Sequence, residues 1–536
     1  MRGVSLAVFD IVIFVGYFAA VVTFGVMIAR KEKRTSREYF LAGDRLPWYV
    51  IGASLTASNI SAEHFVGMIG SAYAVGLVVA NMEWGNWYTY SLLVWIFLPY
   101  YMRSGLFTMP EFLERRYNRT CRYIYAVTTL VTYITAFIAA ILYAGSLVLE
   151  ALFGIPLIYG ILLLAVTTSI YTVYGGLLSV AWTDFVQFIV LFTGGAIITT
   201  LGLEQVGGFS TLLTELPEKF FVYLPANHPQ FPFVGMVGTV LSSSMWYVCT
   251  NQFMVQRCLG ARSEWDARMG GVFAGYMKLV LPLIICLPGI IAFKIFGPGQ
   301  NPNHIFALLV TRLIPAGLTG LIMAGLASAI MSTISSALNS ASTVATLDLI
   351  RPLFRRDATE EELVSYGRWV SVVIMIVAVG CGLWFSVRKG QVFLIVQNIY
   401  AYFASPVAAL FLLGIFWKRA SSTAATVTFV AGFVFNEFVD RVLFKISPLS
   451  DYDSFYNRAA IVFFLSLGVL ILVSLVTKKP DRSVVDEICW RPSDLRLREN
   501  GRGPHKMGNL VVAWALMAGS ILGVYAALGI FQWIYG

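Results

Sequence analysis

Apolar residues follow one another in stretches of about 20 along most of the chain, separated by polar connections. An α-helix rises 1.5 Å per residue, so about 20 residues cross the ~30 Å hydrocarbon core of a bilayer. The strands of a membrane β-barrel would instead give alternating segments of about ten residues. The pattern therefore predicts an all-α polytopic membrane protein with about fourteen transmembrane helices.

Two of the predicted spans contain polar stretches that break the apolar pattern. Residues 53–64 read ASLTASNISAEH, and in residues 241–256, LSSSMWYVCTNQFMVQ, three serines precede a Thr-Asn-Gln triplet. Irregular backbone at membrane depth must be buried in protein or line a cavity. Packing of small residues would explain serines but not Asn59 or His64. Paired broken helices indicate a transport site near the membrane midplane.

A third predicted span is rich in hydroxyl groups, with the sequence SAIMSTISSALNSAS over residues 328–342. At 100° per residue, seven polar side chains fall within an arc of about 120°. Helix packing or bonds to the preceding turn would account for two or three of them. Hydroxyl and carbonyl oxygens suit a hard cation such as Na⁺. The stripe consists of Ser328, Ser332, Ser335, Ser336, Asn339, Ser342 and Thr343.

The composition assigns nearly the whole chain to the membrane. Of 536 residues, 58% are hydrophobic and 12% are charged, and the mean hydropathy is +0.75. These values lie outside the range of soluble globular domains. We expect no appended kinase, glycosyltransferase or other soluble catalytic domain, and the protein is predicted not to be an enzyme.

The position of the basic residues predicts an orientation. The net charge is +9, and Lys and Arg concentrate in alternate connections such as MRSGLFTMPEFLERRYNRTCR and the polar connector 478–507. Basic residues in short connections mark the cytoplasmic side. Both termini are therefore predicted to face the extracellular or periplasmic side of the cell membrane. Neither a nucleic acid nor an obligate protein partner is indicated.

Three ionisable residues lie inside predicted spans: Glu83, Asp184 and Lys278. A charge at membrane depth costs at least ~2.5–3.5 kcal/mol on insertion scales, so each is a candidate functional residue. The alternative is a position near the interface, where the side chain reaches water, or a purely structural pairing. That alternative suits Lys278 and especially Asp184, which is closest to the cytoplasmic end of its span.

The chain resembles the sodium/solute symporter family, and most closely its sodium–glucose cotransporter branch. The resemblance is carried by ASNISAEHFVGM, FTMPEFLERR, YGGLLSVAWTD, MVQRCLGA, LNSASTVATLD and AALFLLGIFWKR, and runs from about residue 37 to residue 419. It implies a LeuT-like core of two inverted five-helix repeats, here residues 47–203 and 232–417. An extra span and cytoplasmic loop (1–46) would precede the core, and three further spans (420–536) would follow it.

The resemblance also implies sites for sodium, the coupling ion. For a first Na⁺ it implies oxygen atoms of Ala57, Ile60, Ala329, Ser332 and Thr333. For a possible second Na⁺ it implies Asp184, Ser335 and Ser336, with Ser332 shared. Two ions per transport cycle are expected.

The implied solute site is Asn59, His64, Glu83, Tyr247, Lys278 and Gln397, with Asn86 as a further candidate. Carboxylate, amide and ammonium groups suit a polyol, and a tyrosine ring offers a face on which a sugar packs. The opposite charges of Glu83 and Lys278 leave the pocket nearly neutral, which disfavours a carboxylate substrate. The expected function is sodium-coupled import of a hexose such as glucose or galactose by alternating access. A related symporter for myo-inositol, sialic acid or another small organic solute is the alternative.

Overall fold

The computed structural model describes residues 8–30, 35–61, 63–315, 317–387, 392–497 and 507–536, and their regular structure is helical. The longer α-helices are Val8–Ala29, Trp48–Asn59, Arg119–Thr132, Ala140–Phe153, Leu157–Val206, Glu264–Phe296, Thr319–Val344, Glu360–Val387, Val392–Phe416, Ser422–Arg441, Phe455–Val476 and Met507–Tyr535. Shorter α-helices are Ser36–Leu41, Ile69–Val75, Asn81–Trp84, Asn86–Leu92, Leu98–Arg103, Met109–Arg116, Phe209–Glu215, Phe233–Thr239, Gln252–Leu259, Ile305–Leu313, Arg351–Phe354 and Arg482–Ile488.

Several helices contain or adjoin turns of different pitch. Single π-helical segments within helices often mark functional sites. The π-helical segments are Glu63–Met68, Leu93–Phe97, Tyr133–Ala139, Val240–Ser244, Trp246–Thr250 and Ala345–Ile350. The 3₁₀ turns are Ala42–Asp44, Leu77–Ala80, Pro217–Phe220, Pro302–His304, Leu443–Lys445, Leu449–Tyr452 and Pro492–Leu495.

The all-helical membrane architecture predicted from the sequence is confirmed. Within the described residues, nine helices are long and apolar enough to cross a membrane, with shorter apolar helices at His64–Val75 and Tyr402–Phe416. The helix Leu157–Val206 has 50 residues but bends at Gly176, where φ is +55°. A β-carbon there would lie 2.4 Å from the Tyr39 carbonyl oxygen, so the bend requires glycine. The figure of about fourteen spans, which counts broken helices too, stays a prediction.

Both predicted broken helices are present. The first broken helix comprises Trp48–Asn59 and, after an extended residue Ile60 (φ −93°, ψ 124°), Glu63–Met68 and Ile69–Val75. The second runs from Phe233–Thr239 to Trp246–Thr250 and breaks at extended Asn251 (φ −74°, ψ 127°) before Gln252–Leu259. Each break exposes helix-end carbonyl groups that the helix itself leaves unsatisfied.

The hydroxyl-rich helix, Thr319–Val344, lies at the centre of the bundle. Almost every residue along it is buried, and it packs against Leu157–Val206, Val8–Ala29 and Trp48–Asn59. A helix that is buried on all faces needs no apolar lipid-facing surface, so its polar side chains must find partners inside the protein. This packing brings its hydroxyl groups against the first break.

Candidate functional site

Two hydroxyl groups of the hydroxyl-rich helix contact the break of the first broken helix. The Ser332 hydroxyl lies 2.9 Å from the Ala57 carbonyl oxygen and 3.1 Å from that of Ala329. The Thr333 hydroxyl lies 3.2 Å from the Ile60 carbonyl oxygen and 3.0 Å from that of Ala329. The five residues implied for the first Na⁺ therefore lie together, all of them buried.

This oxygen cluster has more acceptors than donors. Each hydroxyl carries one hydrogen, which satisfies only one of the neighbouring carbonyl groups at a time, while every carbonyl oxygen has two lone pairs. Across the described residues, no group of three His, Cys, Asp or Glu could hold a metal ion. The donor set is thus neutral oxygen, which suits an alkali cation better than a transition metal.

Asp184 lies beside this cluster and is fully buried. Its Oδ2 accepts hydrogen bonds from the hydroxyls of Ser54 at 2.6 Å and Ser336 at 3.3 Å, while no described group bonds its buried Oδ1. Ser335 donates to the Ser332 carbonyl of its own helix at 3.0 Å. Complete burial excludes a position in which Asp184 is simply solvated at the interface.

The sequence reasoning missed three residues of this region: Ser54, Ser58 and Arg257. Arg257 is 1% exposed and donates from one Nη to the Ser54 carbonyl at 3.0 Å and to the Ser58 hydroxyl. It also interacts electrostatically with Asp184, so the buried carboxylate has a cation nearby. Two features of the sequence could have pointed to these residues. Ser54 and Ser58 are four residues apart and so share one helix face, and Arg257 is a charge that interrupts an apolar run.

Part of the hydroxyl stripe serves helix packing. Ser328 donates to the Tyr17 hydroxyl at 2.7 Å, and Ser342 donates to the Gly367 carbonyl at 2.7 Å. Thr343 bonds back to its own helix at 2.8 Å. The packing explanation therefore accounts for the two ends of the stripe, and the oxygen cluster occupies its middle.

A second group of polar side chains surrounds Lys278. Its ammonium donates to Glu83 Oε2 and to Asn59 Oδ1. His64 Nε2 lies 3.4 Å from Glu83 Oε1, and the Ser61 backbone N–H donates to His64 Nδ1 at 3.2 Å. Because Nδ1 accepts that bond, the imidazole hydrogen belongs on Nε2 and points toward the carboxylate.

Lys278 and Glu83 are 2% and 5% exposed, so neither side chain reaches the membrane surface. A buried ion pair carries a large desolvation cost, which only good geometry and additional hydrogen bonds offset. Here Asn59 and His64 provide those additional partners. The group presents both donors and acceptors while remaining nearly neutral.

The other implied solute residues differ in their surroundings. The ring of Tyr247 stacks on Phe137 with centroids 6.3 Å apart and an interplanar angle of 18°, and it meets Phe253 edge-on. Asn86 bonds to residues close to it in sequence: it donates to the Met82 carbonyl of the preceding short helix at 2.6 Å and accepts from the Thr89 hydroxyl at 3.2 Å. Gln397 lies outside the residues whose side chains are described.

Comparison with known proteins decides the family. Residues 39–432 match the sodium:solute symporter family. The chain belongs to this family. The sodium/glucose cotransporter of Vibrio parahaemolyticus is 34% identical over 508 residues, covering 89% of this symporter and 92% of the relative. The sodium/myo-inositol cotransporter of Canis lupus familiaris is 33% identical, covering 93% of this symporter and 78% of the relative.

Two solved structures share the fold of this symporter. A Na⁺-coupled sialic acid symporter in a substrate-bound outward-open state has a TM-score of 0.79 at 22% identity, covering 89% of this chain and 99% of its own. MHP1, a nucleobase-cation-symport-1 family transporter, has a TM-score of 0.53 at 14% identity, and the match covers 84% of this chain and 97% of the MHP1 chain. The LeuT-type fold expected from the sequence is confirmed, and so is the assignment to transporters and not enzymes. Na⁺ is the coupling ion of this symporter.

Proposed function

We propose that this symporter imports a hexose such as glucose or galactose together with Na⁺ by alternating access. The observation that carries the proposal is the position of Asn59. Its side chain bonds Lys278 in the polar cluster, while the neighbouring residues Ala57 and Ile60 present carbonyls to the hydroxyl-rich helix. One helix end thus takes part in both groups of polar atoms, which supports coupling of ion to solute.

In the proposed mechanism, Na⁺ binds at Ala57, Ile60, Ala329, Ser332 and Thr333, and its charge satisfies the carbonyls that the hydroxyls cannot satisfy simultaneously. The ion then holds residues 57–60 against the hydroxyl-rich helix. This fixes Asn59 beside Lys278, in the arrangement that accepts the sugar. Closure of the two repeats, proposed as residues 47–203 and 232–417, occludes both solutes before release on the other side.

For the sugar itself we propose contacts from Asn59, His64, Glu83, Tyr247, Lys278 and Gln397, with Asn86 contributing through its helix. Glu83 accepts hydrogen bonds from a pair of sugar hydroxyls, and the amide and ammonium groups donate. A sugar hydroxyl can hydrogen-bond Glu83 or Lys278 while the two opposite charges remain close enough to compensate each other. This near-neutrality is the reason for assigning a neutral polyol and not a carboxylate.

We further propose a second Na⁺ at Asp184, Ser332, Ser335 and Ser336. The buried Oδ1 of Asp184, which no described group bonds, supports this assignment. We also propose that the protein lies in the cell membrane with both termini outward, which the distribution of basic connections supports.

Transport of myo-inositol is the second candidate, favoured by the 33% identity to the sodium/myo-inositol cotransporter. A cyclic polyol presents the same paired hydroxyls to Glu83 as a hexose does. Sialic acid carries a carboxylate and would need surplus positive charge beside Lys278.

Counterflow in proteoliposomes tests these assignments. Vesicles loaded with unlabelled galactose, glucose, myo-inositol or sialic acid are assayed for uptake of the same labelled solute in Na⁺ and in choline. We expect Na⁺-dependent exchange of a hexose, with Glu83→Gln inactive. Glu437→Gln, which changes a partly exposed glutamate near the end of Ser422–Arg441, should remain active. Equal hexose exchange in choline, or exchange of myo-inositol alone, would contradict the primary proposal.

A further inference from the structure

An apolar groove runs along the outside of the helix bundle, away from the proposed transport site. Its walls come from the segment of Leu157–Val206 before Gly176 and from Glu360–Val387, and its volume is about 530 Å³. Leu162, Val166 and Ile376 in these walls are exposed. In a membrane-spanning protein, an exposed apolar face of this kind meets lipid.

The length of the groove fits one lipid tail. Its lining extends over residues 162–174 of one helix and 368–379 of the other, which at 1.5 Å per residue is about 17 Å. One leaflet contributes about half of the ~30 Å hydrocarbon core. The groove therefore spans roughly the depth of a single leaflet.

Arg368 lies at one end of this groove with few hydrogen-bond partners. One Nη donates to the Tyr174 carbonyl at 3.4 Å, and no residue in the described part of the chain accepts a bond from Nε. The guanidinium also lies 5.7 Å from the ring centroids of Tyr39 and Tyr174. A guanidinium has five N–H donors, and its planar geometry suits the oxygens of a phosphate.

A second cavity of about 530 Å³, lined by both polar and apolar residues, continues from this end of the groove. It shares Val173, Arg368 and Val372 with the groove and is also lined by Glu361, Ser365 and Trp369. The carboxylate of Glu361 has no ion-pair partner among the described residues. Trp369 is 68% exposed, as is common for tryptophan at the level of lipid headgroups.

We propose that the groove and the second cavity together bind one molecule of phosphatidylethanolamine. An acyl chain lies along Leu162, Val166 and Ile376, the phosphate binds Arg368, and the ammonium group binds Glu361. One cation and one carboxylate match a zwitterionic headgroup and oppose a net negative one. The three N–H donors of ethanolamine can bond Glu361 and the Ser365 hydroxyl, whereas the methylated nitrogen of choline has none.

Native mass spectrometry of the purified full-length protein tests the proposal. The protein is released from nanodiscs that contain phosphatidylethanolamine, phosphatidylglycerol or phosphatidylcholine, and bound lipids are counted and titrated. We expect one retained phosphatidylethanolamine, bound at least about tenfold more tightly than the other two lipids, since one charged hydrogen bond distinguishes them. Arg368→Gln removes the phosphate partner that the three lipids share and should weaken the binding of all three.

A second variant keeps the test informative. Glu361→Gln removes the proposed ammonium partner, so phosphatidylethanolamine should lose its advantage while phosphatidylglycerol gains affinity. Arg441→Gln, which changes an exposed arginine paired with Glu437, is the matched control and should leave all affinities unchanged. Equal retention of the three lipids by the unaltered protein, or unchanged phosphatidylethanolamine binding in Arg368→Gln, would overturn the proposal. The readout does not involve transport, so its failure is separable from failure of the proposed function.

Discussion

Asp184→Asn is the most direct perturbation of the proposed second sodium site. The substitution is nearly isosteric, and the amide oxygen can still accept the hydrogen bonds that Ser54 and Ser336 now donate to Oδ2. The hydrogen-bonded geometry around residue 184 should therefore be retained. What is removed is the negative charge, which leaves Arg257 as the uncompensated charge in this region.

The expected size of the effect follows from that lost charge. At about 4 Å and an effective dielectric constant near 20, a unit charge pair is worth about 4 kcal/mol, so sodium should bind the altered site about 10³-fold more weakly. Each ion contributes ~2.3 kcal/mol per 100 mV and ~1.4 kcal/mol per tenfold gradient. Two ions thus support about 10⁵-fold sugar accumulation and one ion about 500-fold.

The assay is sugar uptake into proteoliposomes at a fixed membrane potential, measured over a range of Na⁺ concentrations. We expect the Hill coefficient to fall from near two toward one and the accumulation limit to fall by the amount derived above. Asp10→Asn is the matched control, because Asp10 is another fully buried aspartate but accepts from backbone N–H groups of Gly317 and Gly320. If Asp184→Asn keeps a Hill coefficient near two and the full accumulation limit, the second-site assignment is wrong.

Three further results are expected. Glu83→Gln should abolish uptake and lower the free energy of unfolding by about 3–5 kcal/mol, since it leaves Lys278 charged and unpaired. The double variant Glu83→Gln/Lys278→Met should regain the lost stability in thermal unfolding. If this double variant also regained uptake, the solute role of the pair would be refuted. Ser332→Ala should raise the half-saturating Na⁺ concentration about tenfold by removing one hydroxyl ligand, and an unchanged value in Na⁺ titrations of uptake would count against the first site. Gly76→Ala should destabilise the protein by more than about 1 kcal/mol in thermal unfolding, because φ is +87° and the new Cβ would lie 2.3 Å from a backbone carbonyl oxygen. At Gly105, φ is +61° and no atom lies within 4 Å of an added Cβ, so Gly105→Ala should lower the stability by less. Equal losses of stability in the two variants would contradict the steric argument.

Much of the fold follows from the hydrophobic pattern, because each span must be apolar over a fixed length in a bilayer. The two breaks were also predictable, since ASLTASNISAEH and the Thr-Asn-Gln triplet at residues 250–252 cannot face lipid as regular helix. An interruption near Gly176 was predictable too, because the run Leu157–Val206 is too long for one span. The need for glycine at that position depends on the close approach of the Tyr39 backbone, which only the folded chain brings there.

The candidate site was predictable where residue type alone limits the chemistry. Glu83 and Lys278 attract notice as charges in apolar spans, and their contact in the structure joins two helices far apart in sequence. Arg257 is also a charged residue in an apolar run. It lies close to the end of its predicted span, however, where a basic residue resembles the start of a cytoplasmic loop. The role of Ser54 could not be predicted from its own helix, because its partner Asp184 is 130 residues away.

The coupling of ion to solute must pass through residues 57–60 if both proposed sites are correct. Coupling requires that the ion interact differently with the two states of a shared element, and an effect of 1–3 kcal/mol corresponds to a 5–150-fold change in affinity. Asn59 meets this requirement because its side chain contacts Lys278 while the carbonyls on either side of it face Ser332 and Thr333. The same linkage obliges the sugar to raise sodium affinity by the factor by which sodium raises sugar affinity. Weakening the contacts of Ser332 should therefore reduce both factors together, even though this residue lies outside the solute cluster.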